Sequence, residues 1–483
     1  MSEIVDRFDA VCREYPDRTA IICRVGRHTE THSFSELSQD VGRMCSYFAS
    51  CGVKKGDRIL TFAPTSYKLC VYMLAALKTG ASVMYVDIRA KQEKLRTVFA
   101  DYRPDLLLVS DKTRYLRLFF GEIGKIRRII NIDRFEKFTA SDAAPTNISE
   151  DAIALLTMTT GSTGKPKIAL RSHRDLMQQL MLINRNLRTD VHETVLTTSY
   201  IYVFANILNG FTTVMPQVNT GRWNERKLNR ALSVLRDIPV SMLITSPDFC
   251  LKAKNQFPNL RTVYCGGAIL NYHEAKQIRD TFEGCDCRLI YGSTECNLIA
   301  MAQLSEYIRM LETEQVSILG RPVEGVRIRL TADGEILVAS DALLERYLVE
   351  DAATKETDDE GTLWHHTNDV ACLRGDLLCF LGKNRHYIMI GDEKHYSNCI
   401  EQAIITQFPD IPKCAVLQHE GRIHVVLERG KSPADTAAIS AFLGQMGIAS
   451  PQFAEIKKIP CDVKHHTKIN SEKLKESMKH GKL

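Results

Sequence analysis

The run Leu155-Leu156-Thr157-Met158-Thr159-Thr160-Gly161-Ser162-Thr163-Gly164-Lys165-Pro166-Lys167 concentrates the residue types that bind an anion. Apolar strand residues lead into hydroxyls, two glycines and two lysines. Glycine lets backbone amides turn toward a negative charge, the hydroxyls add donors, and lysine supplies a mobile cation. That is phosphate-binding chemistry. A Walker A loop needs a wider glycine spacing and Ser or Thr directly after the lysine, whereas Pro166 follows Lys165 here. P-loop nucleotide hydrolysis is therefore set aside.

Such groups need a scaffold, and the chain around them alternates helical and strand-like segments. Helical spacing over 35–48 leads to a strand at 58–63, a helix at 66–77 and a strand at 82–86. Further strands follow at 195–198, 242–245, 262–265 and 288–291. This rhythm predicts an α/β architecture with mainly parallel sheets. Beyond Gly320 the texture becomes β-rich: 326–330 and 335–339 flank the turn Ala332-Asp333-Gly334 as a hairpin. After Gly382 about a hundred residues remain, enough for a small second domain. The division expected is 1–381 and 382–483.

The chain has 483 residues, 44% apolar and 25% charged, so a disordered or fibrous protein is excluded. A net charge of +5 gives no reason to expect nucleic acid as a partner. Fifteen cysteines without a CxxC fit neither a disulfide framework nor a zinc finger, and reduced thiols in a cytoplasm are expected. The start, MSEIVDRFDA, lacks the basic residues and apolar run of a signal peptide. The most apolar stretch, 69–86, is interrupted by Lys78 and Gly80, and no membrane span is expected.

The glycine loop resembles the TSGSTGKPK signature of the acyl-adenylate-forming, or AMP-binding, enzymes, with Thr160 in place of a serine. Other segments carry the same resemblance. Cys265-Gly266-Gly267-Ala268 resembles the stretch that lies along adenine, and Tyr291-Gly292-Ser293-Thr294-Glu295 the YGxTE motif. Trp364-His365-His366-Thr367-Asn368-Asp369 resembles WxxTGD, with Asn368 replacing glycine. The resemblance implies a large N-terminal domain of α/β subdomains plus a β-rich part, and a small mobile α+β C-terminal domain. It implies ATP and Mg²⁺ as cofactors. Thr159, Thr160, Gly161, Ser162, Thr163, Gly164, Lys165 and Lys167 would serve the phosphates. Gly266, Gly267, Ala268, Tyr291, Gly292, Ser293 and Thr294 would flank the nucleotide, with Glu295 on the metal and Asp369 on the ribose. Lys383 stands where the family places a ribose-contacting arginine. By register Lys468, within Pro460-Cys461-Asp462-Val463-Lys464-His465-His466-Thr467-Lys468, is the adenylation lysine, so Lys468, Glu295 and Lys165 are the catalytic candidates.

The same resemblance places the acyl pocket at Tyr202, Phe204 and Gly267. No Asp occurs in 200–211, where amino-acid-activating domains place an ammonium partner, which favours an aliphatic acid. The expected partners are a small carboxylic acid and, for the second step, CoA. Asp462-Val463-Lys464-His465-His466-Thr467-Lys468-Ile469 and Gly382-Lys383-Asn384-Arg385-His386 also resemble the β-lactone synthetases of olefin pathways, whose acceptor is the substrate's own 3-hydroxyl. A non-catalytic nucleotide sensor is a third reading, supported by the replacements at Thr160, Asn368 and Lys383.

Overall fold

The computed structural model describes residues 2–479 apart from 63–65, 87–91, 112, 114, 116–120, 122–124, 127, 140–146, 161–165, 188–192, 218–223, 345, 350–353, 431 and 462–468. Two sheets dominate the large N-terminal region. The seven-stranded sheet runs Arg346–Tyr347, Pro166–Ser172, Ile153–Thr160, Ser82–Tyr85, Arg58–Thr61, Leu106–Val109, Arg128–Asn131. The larger sheet runs Arg327–Leu330, Glu335–Ala339, Leu363–Arg374, Leu377–Lys383, Ser317–Pro322, Ala300–Gln303, Asp286–Tyr291, Thr262–Gly266, Met242–Thr245, Thr194–Thr197, Thr212–Met215, Thr19–Val25, His28–Ser33.

Strand alternation explains how the layers stack. Ile59, Val83, Leu106, Leu108 and Ala154 of the first sheet join Ile21, Val195, Met242, Ile244, Tyr264 and Ile290 of the second in one core. Between them lie buried residues of the helices Glu3–Glu14, Phe34–Ser50, Tyr67–Thr79, His173–Leu187 and Tyr200–Leu208. The alternate residues Leu60, Met84, Leu107 and Leu156 face an outer core, as do Leu196, Leu243, Val263 and Cys265 on the other sheet. Both sheets are thus covered on both faces, which is why their central strands read as apolar runs.

Local signals set the helix ends. Ser33 Oγ accepts from the Glu36 amide at 3.1 Å while Glu36 accepts from the Ser33 amide at 2.7 Å, a capping box that starts Phe34–Ser50. Helix Tyr67–Thr79 is buried along its length and stops at Gly80, whose φ of 70° few residues but glycine adopt readily. Thus the apolar stretch 69–86 is a core helix and a strand, and among the described residues no helix is long and apolar enough to cross a membrane. In the larger sheet parallel pairing is confined to the central strands, whereas in the seven-stranded sheet it runs from Ile153–Thr160 to the edge strand Arg128–Asn131. From Asp286–Tyr291 onward the larger sheet is antiparallel, because short connections such as that between Leu363–Arg374 and Leu377–Lys383 permit no crossover.

Strand Leu377–Lys383 runs past the expected boundary at 381, so Lys383 belongs to the large sheet. The smaller β/α region then comprises the hairpin Tyr387–Ile390 and Glu393–Tyr396, the helices Ser397–Gln407, Thr436–Gln445 and Ser471–Lys479, and the strands Cys414–His419, Arg422–Glu428 and Gln452–Ile456. It packs on the large region through Gln402, which donates to the Leu270 carbonyl at 3.1 Å, and through the Lys413–Glu274 ion pair at 3.2 Å.

Gly320 shows how tightly the antiparallel strands approach. A Cβ there would sit 2.0 Å from the Met301 carbonyl oxygen, and its φ is 98°. Clash and backbone strain together predict that Gly320→Ala lowers the stability of the large region by about 3 kcal/mol. Urea denaturation followed by tryptophan fluorescence checks this, and an unchanged midpoint would contradict the packing described.

Candidate active site

The glycine loop leaves the strand Ile153–Thr160 and returns as Pro166–Ser172, with Thr159 opposite Lys167 and Thr160 opposite Pro166. Gly161, Ser162, Thr163, Gly164 and Lys165 lie outside the described residues, as does Lys468. The returning strand carries the side chain that organises the neighbourhood. Arg171 is buried and donates from Nε to Gln179 Oε1 at 2.7 Å, and from its terminal nitrogens to Thr157 Oγ1 at 2.6 Å and the Thr294 carbonyl at 2.5 Å. Gln179 donates in turn to the Glu295 carbonyl at 3.3 Å and accepts from Asn297 at 2.7 Å. The hairpin of one sheet is thereby bolted to the Glu295 loop of the other.

That loop is a tight turn. Ser293 Oγ accepts from the Glu295 and Cys296 amides at 3.2 and 3.1 Å. Gly292 admits no side chain, since a Cβ would meet the Asn297 carbonyl at 2.1 Å. Ser293, Thr294 and Gly292 thus shape the turn through their own atoms. Glu295 Oε1 accepts from the Tyr347 hydroxyl at 2.5 Å, and Oε2 lies 3.8 Å from His365 Nε2. Burial pushes the Glu295 carboxyl up, but His365, the Tyr347 hydroxyl, its own amide and Ser293 outweigh this and hold it below the ordinary value. His365 is in turn held below the ordinary histidine value by burial, with the Glu295 carboxylate acting against the fall. Burial likewise pulls the Arg171 guanidinium down to about 10, with Glu295 acting against the fall, and it stays charged at neutral pH.

The second acid stands on the strand that carries His365. Asp369 Oδ2 accepts from the Tyr291 hydroxyl at 2.8 Å, and Oδ1 accepts from Lys383 Nζ, its partner across the sheet. Burial and then the adjacent Asp369 charge drive the Tyr291 phenol well up, so it remains a donor. Asn368 has φ of 59° and fills the slot in which the family motif has glycine; asparagine tolerates this region better than most residues. Gly266 ends its strand beside Ile290, where a Cβ would lie 3.0 Å from both the Ile290 side chain and carbonyl. Gly267 follows with φ of 112°, and Ala268 comes next. Lys167 Nζ sits 5.6 Å from the Tyr347 ring centre.

Glu295, Tyr291, Asp369 and Lys383 are thus brought together, with Ser293, Thr294 and Gly292 as their turn. Phe204 is packed in the central core at 2% exposure, and Tyr202, on the same helix, is partly buried against that core. Arg171, Tyr347, Gln179 and His365 were not singled out from the sequence. His365 had a signal: alternation places 365, 367 and 369 on one face of a strand. Tyr347 and Arg171 had none, because their partners are distant in the chain.

Residues 8–348 match the AMP-binding enzyme family. The chain belongs to that family. An olefin β-lactone synthetase from Xanthomonas campestris pv. campestris is 23% identical over 533 aligned positions, covering 96% of this chain and 95% of that protein. Among solved structures, ATP-bound MatB from Rhodopseudomonas palustris is similar with a TM-score of 0.81 at 17% identity, over 99% of this chain and 100% of that one. The o-succinylbenzoate CoA synthetase MenE from Bacillus subtilis, solved with an acyl-adenylate, gives 0.80 at 19% identity, over 97% of each chain. These structural likenesses establish the shared fold of this AMP-binding enzyme from end to end.

In this AMP-binding enzyme the Tyr347 hydroxyl supports the Glu295 charge. A carboxylate with a lowered folded pKa contributes stability above its unfolded pKa, near 4.3, and loses it as pH falls through the folded value. Removing the donor raises the folded value. Tyr347→Phe should therefore be less stable than the parent near pH 7 by about 1.5–3 kcal/mol, with the gap closing as pH falls through the folded value. Urea titrations at stepped pH check this; a gap independent of pH would show that the hydroxyl does not support the charge.

Proposed function

We propose that the protein activates a carboxylic acid with ATP and Mg²⁺, forming an acyl-adenylate and releasing pyrophosphate. The observation that carries this reading is the pair of differently supported carboxylates, Glu295 among hydroxyl and amide donors and Asp369 between Tyr291 and Lys383, in a chain of the AMP-binding family. Glu295 suits a hard cation: its carboxyl is held below the ordinary value, and its Oε2 lies 3.8 Å from His365 Nε2, beyond hydrogen-bond distance. Bound Mg²⁺ would neutralise charge on the phosphates there.

The chain's own residues account for the remaining roles. Asp369 uses two of its four lone-pair directions on Tyr291 and Lys383 and has two left for the ribose diol. Gly266, Gly267 and Ala268 present backbone, without bulk, along the base. The loop 159–165 and Lys167 cradle the phosphates by amides, hydroxyls and cations. Charge accumulates on phosphate oxygens as the carboxylate attacks the α-phosphorus, so positioned cations such as Lys165 and Lys468 lower the barrier. Delivery of Lys468 from the small region beyond Lys383 would let it serve the first step and withdraw for the second.

For the second step we favour transfer of the acyl group to CoA, with an aliphatic or fatty acid as substrate; Tyr202, Phe204 and Gly267 are the proposed acyl-pocket residues. The full-length likeness to an olefin β-lactone synthetase supports a second reading, closure of a 3-hydroxy acid by its own hydroxyl. Mass spectrometry of products from ATP, Mg²⁺ and a panel of acids and 3-hydroxy acids, with and without CoA, separates them. A thioester formed only with CoA supports the first reading, a β-lactone without CoA the second, and no AMP with any acid contradicts both.

Two substitutions test the assignments. Asp369→Ala removes two ribose hydrogen bonds, about 2–3 kcal/mol, and should weaken ATP roughly 30- to 150-fold by calorimetry; an unchanged affinity would move the ribose elsewhere. Lys468→Ala should slow carboxylate-dependent pyrophosphate release by on the order of 10²–10³ while ATP binding and consumption of a supplied acyl-adenylate stay near normal. Unimpaired adenylation would return Lys468 to a solvated basic segment.

A further inference from the structure

At the far edge of the larger sheet, several strands from Glu295 and Asp369, the last two strands form a hairpin whose inner face carries metal-binding side chains. Strand alternation puts His28, Glu30 and His32 on one face of His28–Ser33, and Cys23 stands directly opposite Glu30 on Thr19–Val25. One ligand atom each from Cys23, Glu30 and His32 falls within 4.8 Å of the others. His32 Nε2 is buried, makes no hydrogen bond, and lies 4.0 Å from Glu30 Oε2. The His32 ring is held by face-to-face stacking on Tyr67, with centroids 3.5 Å apart.

We propose that Cys23, Glu30 and His32 bind a zinc-class divalent cation, with the fourth position facing solvent beside His28. The donor set of thiolate, imidazole and carboxylate is the mixture that borderline-soft cations prefer over Mg²⁺ or Ca²⁺. In a tetrahedral zinc site the ligand atoms stand roughly 3.3–3.8 Å apart, so the present spacing closes with side-chain adjustments of about an ångström. The charge balances, since a thiolate and a carboxylate offset a dication and the imidazole is neutral. Glu36 and Asp40, on the helix packed against this face, add negative potential around His32. His28 Nε2 lies 3.9 Å from the other Glu30 oxygen, near the open position. A bound ion would staple the exposed edge strand to its neighbour, which hydrogen bonds hold from one side only.

The test uses the full chain, stripped with a chelator and dialysed. Cobalt(II) serves as spectroscopic surrogate and zinc is titrated by calorimetry. One equivalent of cobalt should give a thiolate-to-metal absorption band in the near ultraviolet, and zinc should bind at micromolar concentration or below and raise the melting temperature. Cys23→Ser should abolish the band, and His32→Gln or Glu30→Gln should weaken zinc at least about tenfold. Should the buried Cys23 not tolerate serine, Glu30→Gln decides the matter, because that side chain is 49% exposed and its loss does not disturb packing. A wild-type protein without the band, a band unchanged in Cys23→Ser, or equal zinc affinity in Glu30→Gln overturns the proposal.

Discussion

One buried guanidinium holds the two halves of the site in register. Arg171 reaches Thr157 and Gln179 near its own sheet and the Thr294 carbonyl of the Glu295 loop. Burying that charge is costly, and its hydrogen bonds to hydroxyl, amide and carbonyl oxygens offset the cost. Removing such a partner from a buried network typically costs about 3–5 kcal/mol. The strand hairpin of Thr157 and Arg171 and the loop that carries Glu295 are therefore positioned by a shared interior cation. The site's geometry is a property of the core, and loop conformation only finishes it.

The second organising element is the strand Leu363–Arg374. It carries His365 toward Glu295 and, four residues on, Asp369 toward Tyr291. The two acids are supported differently: Glu295 accepts from the Tyr347 hydroxyl beside His365. Asp369 already has a cation in Lys383, which is half exposed; a lysine meets a carboxylate as a point charge, whereas an arginine in that place would hold with two parallel bonds.

Much of this was legible in the sequence, and the reasons are physical. Short apolar runs between helical segments placed the central strands within a residue or two, because these strands are buried on both faces. The turn Ala332-Asp333-Gly334 marked its hairpin correctly, with 335–339 observed as Glu335–Ala339. The strand read at 288–291 pairs in parallel with Thr262–Gly266, and the β-rich part read beyond Gly320 is antiparallel. Glu295 and Asp369 stand in contiguous motifs and could be read directly. Arg171 and Tyr347 could not: Arg171 sits in an unremarkable strand, and its partner Thr294 is 123 positions away. Long-range polar networks leave no local period, so they emerge only in three dimensions.

The central claim is that the substrate carboxylate attacks the α-phosphorus of ATP. It is tested most directly by following a heavy-oxygen label from the acid. With a turned-over acid labelled in both carboxyl oxygens, an acyl-adenylate route leaves one labelled oxygen in the AMP released. Mass spectrometry of the nucleotide product should show AMP carrying one heavy oxygen, alongside unlabelled pyrophosphate. Unlabelled AMP, or ADP with labelled phosphate, would contradict the account.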